Sequence, residues 1–297
     1  MNAVLTLVAG PDETALPDVV AALGRALPRA GAPDWLAPGV ACDLALADAD
    51  ADADADEAER TARAAIGEAR IDVVVQPGAG RRKRLLVADL EATMIENEML
   101  EELAEFVGLR APVAEITRRA MNGDIDFAAA LAERVLLLKG LPEALLDAAA
   151  ARIRLMPGAR PLLATLRAAG VRTLLVSGGF TVFADRVAAQ LGFERVVANR
   201  LDIVDFRIAG TVAPPIVTRE TKRQALFAAA RDCGVAAAAT LAVGDGANDL
   251  PMLLAAGLGV AFRAKPSVAA AARWRVDHAD LTALLYAQGY RQREIIG

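Results

Sequence analysis

From residue 157 onward, the chain alternates short apolar runs with longer runs of helical periodicity. This alternation predicts strands at residues 173–176, 195–198, 240–244 and 258–262, and helices at residues 160–169, 181–191, 222–233 and 249–256. Residues 201–211, which turn near Asp205, predict a β-hairpin. Because repeated strand–helix units form a parallel sheet with helices on both faces, the predicted fold class is α/β with a Rossmann-like sheet.

A further predicted strand, at residues 85–88, precedes this alternation and ends on Asp89. It is followed by a block of helical periodicity at residues 98–151, with loop signals at Gly108, Asn122-Gly123 and Gly140. A helical block inserted after the first strand predicts a cap, at about residues 98–155, over the carboxyl edge of the sheet. Open α/β sheets bind their ligands at that edge.

Residues 1–80 carry the signals of a separate small α+β unit. Strands are predicted at residues 4–8, 40–46 and 71–75, and helices at residues 16–27 and 57–69. Residues 47–56 alternate Ala and Asp, and we interpret this run as a solvated loop because Asp is a poor strand former. The run has no glycine for the turns of a calcium loop, so calcium binding is not favoured.

The basic run Arg81-Arg82-Lys83-Arg84 follows Pro77-Gly78-Ala79-Gly80. Positive charges beside a Gly/Pro turn are typical of a solvated linker, and no further basic run supports a nucleic-acid or membrane surface. We therefore place a domain boundary here, with residues 1–80 as one domain and residues 81–297 as the other.

Composition excludes several classes of protein. The chain has 33 Lys and Arg against 38 Asp and Glu, whereas nucleic-acid-binding domains are usually basic. Cys42 and Cys233 are the only cysteines and His278 is the only histidine, which argues against a disulfide framework and against a Cys/His zinc site. No apolar run reaches membrane-spanning length, and the N-terminus lacks the pattern of a secretion signal. We expect a cytoplasmic enzyme that binds neither nucleic acid nor membrane.

Polar residues follow three of the predicted strands. They are Asp89, Ser177-Gly178-Gly179 and the run Gly-Asp-Gly-Ala-Asn-Asp at residues 244–249. The carboxyl ends of parallel strands share one edge of the sheet, so these residues are expected to converge, together with Lys222 at the start of a predicted helix. Carboxylates hold Mg²⁺, a lysine and loop amides neutralise phosphoryl oxygens, and an aspartate can form a covalent phospho-enzyme. Each motif alone is an ordinary cap or turn, but their joint order indicates phosphoryl transfer.

With these motifs the chain resembles the haloacid dehalogenase superfamily, in which D-x-[DE]-x-T, S-G-G, a lysine and G-D-G-x-N-D follow in this order. Residues 121–127 and 133–140 resemble the cap of the phosphoserine phosphatases, and the likeness covers residues 85–290. The N-terminal part resembles, more loosely, an ACT-like domain of ferredoxin-like fold. Such domains often pair, so a homodimer is an expectation from the resemblance.

The resemblance implies that the chain hydrolyses O-phospho-L-serine to serine and phosphate, with Mg²⁺ and an aspartyl-phosphate intermediate, as the last step of serine biosynthesis. The implied catalytic residues are Asp89 as nucleophile, Glu91 as acid and base, Ser177 as hydrogen-bond donor and Lys222 as counter-charge. The implied metal ligands are Asp89, the backbone carbonyl of Glu91, and Asp245, with support from Asp249 and Asn248.

The resemblance also implies a set of substrate-binding residues. Glu98 would face the ammonium group and Arg134 the carboxylate, which suits a zwitterion because a guanidinium binds a carboxylate through two parallel hydrogen bonds. Met121 and Phe127 would close the apolar side, and Ser177, Gly178, Lys222 and Asn248 would surround the phosphoryl group. The alternative for Glu98 and Arg134 is an ordinary pair of helix surface residues.

One position departs from the usual pattern of the family, which has Asp-Ser-Thr where this chain has Glu91-Ala92-Thr93. Glutamate offers the same functional group with a similar ordinary pKa, but its extra methylene moves the carboxyl group. The departure bears on rate and acceptor choice more than on reaction class, since a phosphoserine phosphatase type that also transfers phosphate to homoserine carries Glu here. Two alternatives stay open, namely a phosphatase or phosphotransferase for another small phosphomonoester, and an amino acid sensor with weakened catalysis.

Overall fold

The computed structural model describes residues 3–27, 29–46, 51–121 and 125–297, with the backbone alone for residues 51–54 and Met121. In the described part, the chain forms a small antiparallel sheet followed by a larger, mainly parallel one. Each sheet has its own hydrophobic core, and the core of the larger sheet lies on both of its faces.

The elements of the N-terminal unit run β1 (Ala3–Ala9), α1 (Leu16–Ala26), β2 (Asp34–Ala37), β3 (Ala41–Leu46), α2 (Ala51–Ile66) and β4 (Ile71–Pro77). The strands pair antiparallel in the order β2-β3-β1-β4, which is the ferredoxin-like arrangement of a βαββαβ chain. The predicted strands and helices of this unit are confirmed, whereas β2 was not predicted.

The interpretation of residues 47–56 as a solvated loop is wrong for its second half. Residues 47–50 lie outside the described residues, but helix α2 begins at Ala51 and includes the remaining Ala-Asp alternation. Two physical preferences explain this outcome. Alanine has the highest helix propensity of all residues, and acidic residues are favoured in the first turn of a helix by its dipole.

The second unit begins with β5 (Leu85–Ala88) and the helices α3 (Met99–Glu105), α4 (Arg110–Met121), α5 (Phe127–Leu136) and α6 (Ala144–Ala150). It continues with α7 (Ala159–Ala168), β6 (Arg172–Phe180), α8 (Thr181–Leu191), β7 (Arg195–Val204), β8 (Arg207–Ala213), α9 (Arg219–Asp232), β9 (Thr240–Gly244), α10 (Leu250–Ala255), β10 (Leu258–Phe262), α11 (Pro266–Ala271), β11 (Trp274–Val276) and α12 (Ala283–Ala287).

The larger sheet has the strand order β11-β10-β9-β5-β6-β7-β8, parallel except for the terminal hairpin of β7 and β8. Strand β5 lies in its middle, and its side chains alternate between two hydrophobic cores. Leu86 and Ala88 pack on one face, and Leu85 and Val87 on the other. A strand buried on both faces needs an apolar side chain at every position, which explains the uninterrupted run Leu-Leu-Val-Ala. The predicted α/β class with a Rossmann-like sheet is confirmed.

The four helices α3 to α6 form the predicted cap insertion, and the chain enters and leaves it through two paired segments. Ile95 and Leu155 form an antiparallel bridge there, and the buried Asn97 side chain accepts a hydrogen bond from the amide of Arg154. The far end of the cap is also attached to the sheet. Residues 140–143 exchange backbone hydrogen bonds of 2.8–2.9 Å with residues 206–208 of the β7–β8 hairpin.

The interpretation of residues 81–84 as a solvated linker is wrong for Arg81 and Lys83, whereas Arg82 and Arg84 are exposed. The guanidinium of Arg81 bonds the carboxylate of Asp43 at 2.6 Å and also donates to the carbonyl of Ala287. Lys83 is buried, and its ammonium donates to the carbonyls of Gly80 and Ala238 at 3.0 Å. Hydrogen-bond acceptors from three distant segments therefore surround the cations of Arg81 and Lys83. These two residues are part of the interface between the two units.

Strand β4 supplies the rest of that interface. The carboxylate of Asp72 accepts hydrogen bonds from the amides of three consecutive residues, 277–279. The indole of Trp274 donates to the carbonyl of Val75 at 2.7 Å. Within the described residues, no helix combines the length and the hydropathy that crossing a bilayer requires.

Candidate active site

Three neighbouring strands bring their polar carboxyl ends to one place. The sheet order places β5 between β9 and β6, so Asp89 lies between the segment after Gly244 and the segment at Ser177. The amide of Asp89 donates to the carbonyl of Val243 at 3.0 Å, which continues the pairing of β5 with β9 by one residue. The convergence predicted for these strand ends is confirmed.

Lys222 joins two of the carboxylates. Its ammonium lies 2.7 Å from Asp89 Oδ1 and 2.7 Å from Asp249 Oδ1, and all three residues are buried. Lys222 lies in the first turn of α9, which begins after Thr218, whose hydroxyl accepts from the amide of Thr221. Burial alone would lower the pKa of Lys222, but the two carboxylates outweigh it and raise that pKa above its ordinary value. The lysine is therefore a fixed positive charge.

The loop after β9 is shaped by two glycines. A Cβ atom at Gly244 would lie 2.4 Å from Asp249 Cγ, and one at Gly246 would lie 2.3 Å from Asn248 Oδ1. Neither position has room for a side chain. The amide of Gly246 also donates to Asp249 Oδ2 at 3.0 Å. The glycines of the Gly-Asp-Gly motif thus let the loop fold tightly around the carboxylate of Asp249.

Asp89, Asp245 and Asp249 form a cluster that can hold a metal ion. One oxygen from each lies within 4.8 Å of the others, and all three residues are buried. Lys222 compensates one of the three negative charges at close range. Burial and the charge of Asp249 raise the pKa of both Asp89 and Asp245, as expected where negative charge is in excess. Buried, oxygen-only ligands with excess negative charge fit a hard divalent cation.

Glu91 points from the turn after Asp89 toward the loop at Gly179. Its Oε1 accepts a hydrogen bond from the amide of Met99 at 2.9 Å, and both of its oxygens would lie 3.1 Å from a Cβ at Gly179. Burial raises the pKa of Glu91, although the Met99 amide and Arg134 oppose the shift. A carboxyl group with a raised pKa can carry a proton closer to neutral pH. Ala92 adopts a left-handed φ of 52°, a strained conformation for a residue with a Cβ.

The segment at Ser177 offers hydroxyl and amide groups. The amide of Gly179 donates to Ser177 Oγ at 2.9 Å, which leaves the serine hydroxyl proton available to another acceptor. A Cβ at Gly178 would lie 3.0 Å from the ring of Phe127 and 3.9 Å from Asn248 Nδ2. The structure thus brings together Gly178, Phe127 and Asn248, as the sequence predicted.

The cap residues Glu98 and Arg134 bring two ionisable groups to the same region. Burial, followed by the charges of Glu91 and Asp245, raises the pKa of Glu98 to about 8. The guanidinium of Arg134 donates to Thr117 Oγ1 at 3.2 Å and to the carbonyl of Ala130 at 3.3 Å. Both residues are half-buried, which disfavours the alternative of an exposed helix pair. The side chain of Met121, also predicted here, lies outside the described residues.

Three further residues contact the site. Thr93 belongs to the motif quoted above but was given no role, and sequence reasoning missed the other two. Thr93 Oγ1 lies 3.5 Å from Asp245 Oδ1, Lys265 Nζ lies 3.7 Å from Asp245 Oδ2, and buried Asn199 donates to the carbonyl of Gly178. Asn199 carried a usable signal, because it directly follows the predicted strand at residues 195–198. Lys265 carried none, since a lone lysine before a proline is common in loops.

Comparison with known proteins gives a family for the larger unit. The family model for haloacid dehalogenase-like hydrolases matches residues 86–254, a range that includes every strand end described above. A curated phosphoserine phosphatase from Streptomyces coelicolor is 45% identical over 237 residues, which cover 79% of this chain. The chain spans only 57% of the length of that relative.

Two solved structures have folds similar to that of this chain. A haloacid dehalogenase family hydrolase from Salmonella enterica serovar Typhi superposes with a TM-score of 0.85 at 28% identity, covering 96% of this chain and 98% of its own. A phospho-aspartyl intermediate analogue of a phosphoserine phosphatase superposes with a TM-score of 0.66 at 34% identity. That match covers 71% of this chain and 100% of the other.

Proposed function

The chain belongs to the haloacid dehalogenase-like hydrolase family, and we propose that within this family it is a magnesium-dependent phosphatase that hydrolyses O-phospho-L-serine to L-serine and phosphate. The bonding of one buried lysine to two buried aspartates at the edge of the sheet carries the proposal. The relatives named above support the choice of substrate, because two of them are phosphoserine phosphatases.

Asp89 is the proposed nucleophile. Lys222 and the amide of Leu90 both donate to its Oδ1, at 2.7 and 2.8 Å, and these two bonds fix the orientation of the carboxylate. Attack forms a bond between an Asp89 oxygen and phosphorus while the bond from phosphorus to the serine oxygen breaks. Water then attacks phosphorus, the aspartyl oxygen leaves, and Asp89 is restored. In both steps the Ser177 hydroxyl donates a hydrogen bond to a phosphoryl oxygen and keeps its proton.

Glu91 is the proposed acid and base. It gives its proton to the departing serine oxygen and takes a proton from water in the second step, so its protonation state is restored after one turnover. The bond from the Met99 amide fixes one oxygen of the carboxyl group. The open space at Gly179 accommodates the arm that is longer than aspartate by one methylene.

Asp89, Asp245 and Asp249, with the backbone carbonyl of Glu91, are the proposed residues that hold Mg²⁺. When bound, the ion supplies positive charge that offsets the charge developing on the phosphoryl oxygens. Asn248 supports this loop through its close approach to Gly246. We assign no role in the ion's binding to the Glu91 side chain, which is bonded to the amide of Met99.

The proposed binding site for the amino acid part of the substrate lies on the cap. Glu98 faces the ammonium group, Arg134 binds the carboxylate, and Phe127 with Met121 closes the apolar side. Burial lowers the pKa of Arg134, while the charges of Glu91 and Glu98 oppose that shift, so Glu98 and Arg134 are close enough to attract each other. A substrate with one positive and one negative group satisfies both residues at once.

The proposed domain division places residues 1–80 in an ACT-like domain and residues 81–297 in the phosphatase domain, with the cap at about residues 98–155. The βαββαβ order of the antiparallel sheet supports the first assignment. The proposed setting is serine biosynthesis in the cytoplasm, with a homodimer formed through the N-terminal domains.

A phosphate-release screen tests the proposal. Phosphoserine, phosphothreonine and sugar phosphates are compared with and without Mg²⁺, and Asp89→Asn serves as the blank. We expect magnesium-dependent release that is fastest with phosphoserine and absent from the blank. Equal turnover of sugar phosphates would exclude the proposed substrate, and activity that survives Asp89→Asn would exclude the covalent route.

A second candidate function, phosphotransfer, is favoured by the glutamate at position 91. The same assay run with added homoserine separates the two functions. Phosphohomoserine formed at a rate comparable to phosphate release would identify a transferase, whereas phosphate alone would identify a hydrolase.

A further inference from the structure

Asn199 lies beside the end of β6 and connects it to the segment that precedes α9. It is completely buried on β7, beside β6, and is paired in register with Phe180. Its side-chain amide donates from Nδ2 to the carbonyl of Gly178 at 2.7 Å and accepts at Oδ1 from the amide of Val217 at 2.8 Å. A buried carboxamide with both ends bonded to backbone rigidly joins the segments that it contacts.

The bond to Gly178 fixes the plane of a peptide unit that also contacts the Ser177 hydroxyl. The Gly178 carbonyl and the Gly179 amide belong to the same peptide unit. On one side that unit accepts from Asn199, and on the other it donates to Ser177 Oγ at 2.9 Å. Because peptide units are planar, the orientation of the carbonyl sets the orientation of the amide.

This peptide needs an external restraint because glycine flanks it on both sides. Glycine has access to far more backbone conformations than other residues, so the peptide between Gly178 and Gly179 could rotate at low cost. A residue with a side chain at either glycine position would restrict the peptide, but neither position has room for one. A Cβ at Gly178 would lie 3.0 Å from Phe127, and one at Gly179 would lie 3.1 Å from both Glu91 oxygens. A hydrogen bond from outside the segment restrains the peptide without occupying that space.

The other bond of the Asn199 side chain, accepted at Oδ1, lies just before the start of α9, the helix that carries Lys222. Val217 directly precedes Thr218, the N-cap residue of α9, and the amide of Lys222 donates to the carbonyl of Thr218. One carboxamide therefore links the peptide that orients Ser177 with the backbone turn that positions Lys222.

From this geometry we propose that Asn199 is a positioning residue for phosphoryl transfer. It holds the Gly178–Gly179 peptide in the orientation that leaves the Ser177 hydroxyl proton free for the phosphoryl group. It also holds the Ser177 hydroxyl in a fixed position relative to Lys222. The inference rests on the proposed phosphatase function but not on the identity of the alcohol that leaves.

The chain offers a matched control in Thr240. Thr240 is also completely buried, its hydroxyl donates to the carbonyl of Ala237 at 2.7 Å, and it accepts from the amide of Gly257 at 3.2 Å. It lies at the amino end of β9, opposite the edge that carries the site. Asn199→Leu and Thr240→Val each remove one donor and one acceptor from a buried strand position while keeping similar volume.

The test compares the two variants with the wild-type protein on p-nitrophenyl phosphate, which requires only the phosphoryl site. Melting temperature and inhibition by inorganic phosphate are measured alongside. For Asn199→Leu we expect kcat to fall by about 10²-fold, the cost typical of misplaced reacting groups, together with weaker phosphate inhibition. For Thr240→Val we expect a comparable loss of melting temperature with kcat and phosphate inhibition within threefold of wild type. If both variants lose melting temperature alike and both keep kcat and phosphate inhibition, Asn199 is only structural and the inference is overturned.

Asn199→Asp tests the bond to Gly178 separately from the bond to Val217. It also provides a second variant in case Asn199→Leu does not fold. The carboxylate can still accept from Val217 but cannot donate to Gly178 unless it is protonated. The ratio of variant to wild-type kcat should therefore rise as pH falls from 8 to 6, while a constant ratio would contradict the proposal.

Phosphoserine assayed in parallel keeps the two hypotheses distinct. Wild-type protein that cleaves the aryl phosphate but not phosphoserine refutes the proposed substrate and leaves the role of Asn199 intact. Wild-type protein that neither cleaves an ester nor binds phosphate refutes both.

Discussion

The two sides of the site differ in how completely their polar groups are bonded within the protein. On the sheet side, Lys222 bonds both Asp89 and Asp249 at 2.7 Å, and all three residues are buried. On the cap side, Glu98 caps α3 without a side-chain hydrogen bond, and Arg134 bonds only a hydroxyl and a carbonyl among the contacts described. Asp89 and Lys222 are thus bonded to each other before any ligand arrives, whereas Glu98 and Arg134 are ionisable groups whose partners, under the proposed function, would come from the substrate.

Under the proposed function, this difference means that chemistry and selectivity have separate structural origins. The strand ends would carry out the reaction, because their carboxylates and lysine fit any phosphoryl group. The cap would select the alcohol, because Glu98 and Arg134 would bind its charged groups. Substitution of Asp89 or Lys222 should therefore affect all phosphate esters alike, whereas substitution of the proton donor Glu91 should depend on the acidity of the leaving group. Substitutions in the cap should affect phosphoserine selectively.

The largest effect is expected at the nucleophile. Asp89→Asn should reduce turnover of every phosphate ester by about 10⁴-fold or more, since an amide replaces the carboxylate that attacks phosphorus. Steady-state assays on phosphoserine and p-nitrophenyl phosphate check the prediction, with circular dichroism as a control for folding. A loss confined to one of the two substrates would contradict the division between sheet and cap.

The next effect is expected at Glu91. Glu91→Gln should lower kcat by about 10²–10⁴-fold because the leaving oxygen loses its proton donor, and the loss should be smaller for p-nitrophenyl phosphate, whose leaving group is more acidic. Glu91→Asp calibrates the position of the carboxyl group. A much faster aspartate variant would show that the native acid is displaced from its best position, and equal activity would show that Gly179 accommodates the longer arm.

A selective effect is expected at Arg134. Arg134→Ala should raise KM for phosphoserine by about 10–100-fold, because the substrate carboxylate loses its bidentate partner, and should leave p-nitrophenyl phosphate within twofold. Arg119→Ala is the matched control, since Arg119 is a cap arginine paired at the surface with Glu133 at 3.3 Å. Equal losses on both substrates, or none on either, would contradict the amino acid assignment.

The smallest effect is expected from the unmet charge of Glu98. Its pKa is about 8 in the folded protein against an ordinary value of 4.5, so the folded state binds the proton more tightly and wild-type stability is lost as pH rises from about 4.5 to 8. Glu98→Gln removes this loss, and its melting temperature should exceed that of wild type by about 2 °C or more at pH 8.5, with the difference vanishing near pH 4.5. Thermal unfolding of chelator-treated protein measures it. A difference that does not change with pH would contradict the assigned electrostatics.

Much of the sheet side could be predicted because its signals are local. Strands at residues 85–88, 240–244 and 258–262 and the helix at residues 181–191 match the structure to the residue. Each apolar run ends where the chain leaves the core, so a polar residue at that point marks the edge of the sheet. Asn199 also follows a predicted strand, but its role depends on bonds to Gly178 and Val217, and periodicity does not reveal those partners.

The failures have a different physical origin. The Ala-Asp run was assigned from alternation, and helix propensity outweighed that signal at Ala51. The basic run was assigned from composition, but the partners of Arg81 lie 38 residues before it and 206 residues after it. Whether a cation is solvated or buried depends on such distant partners, and local sequence carries no information about them.

The bonds that Gln76 and Arg81 make to the carbonyl of Ala287 have a consequence for the order of folding. They span 211 and 206 residues, so they close some of the longest loops in the chain. During synthesis the N-terminal sheet is complete long before α12 leaves the ribosome, and domains generally fold in that order. Docking of the two units must therefore be a late event, which only a chain synthesised through its last helix can complete.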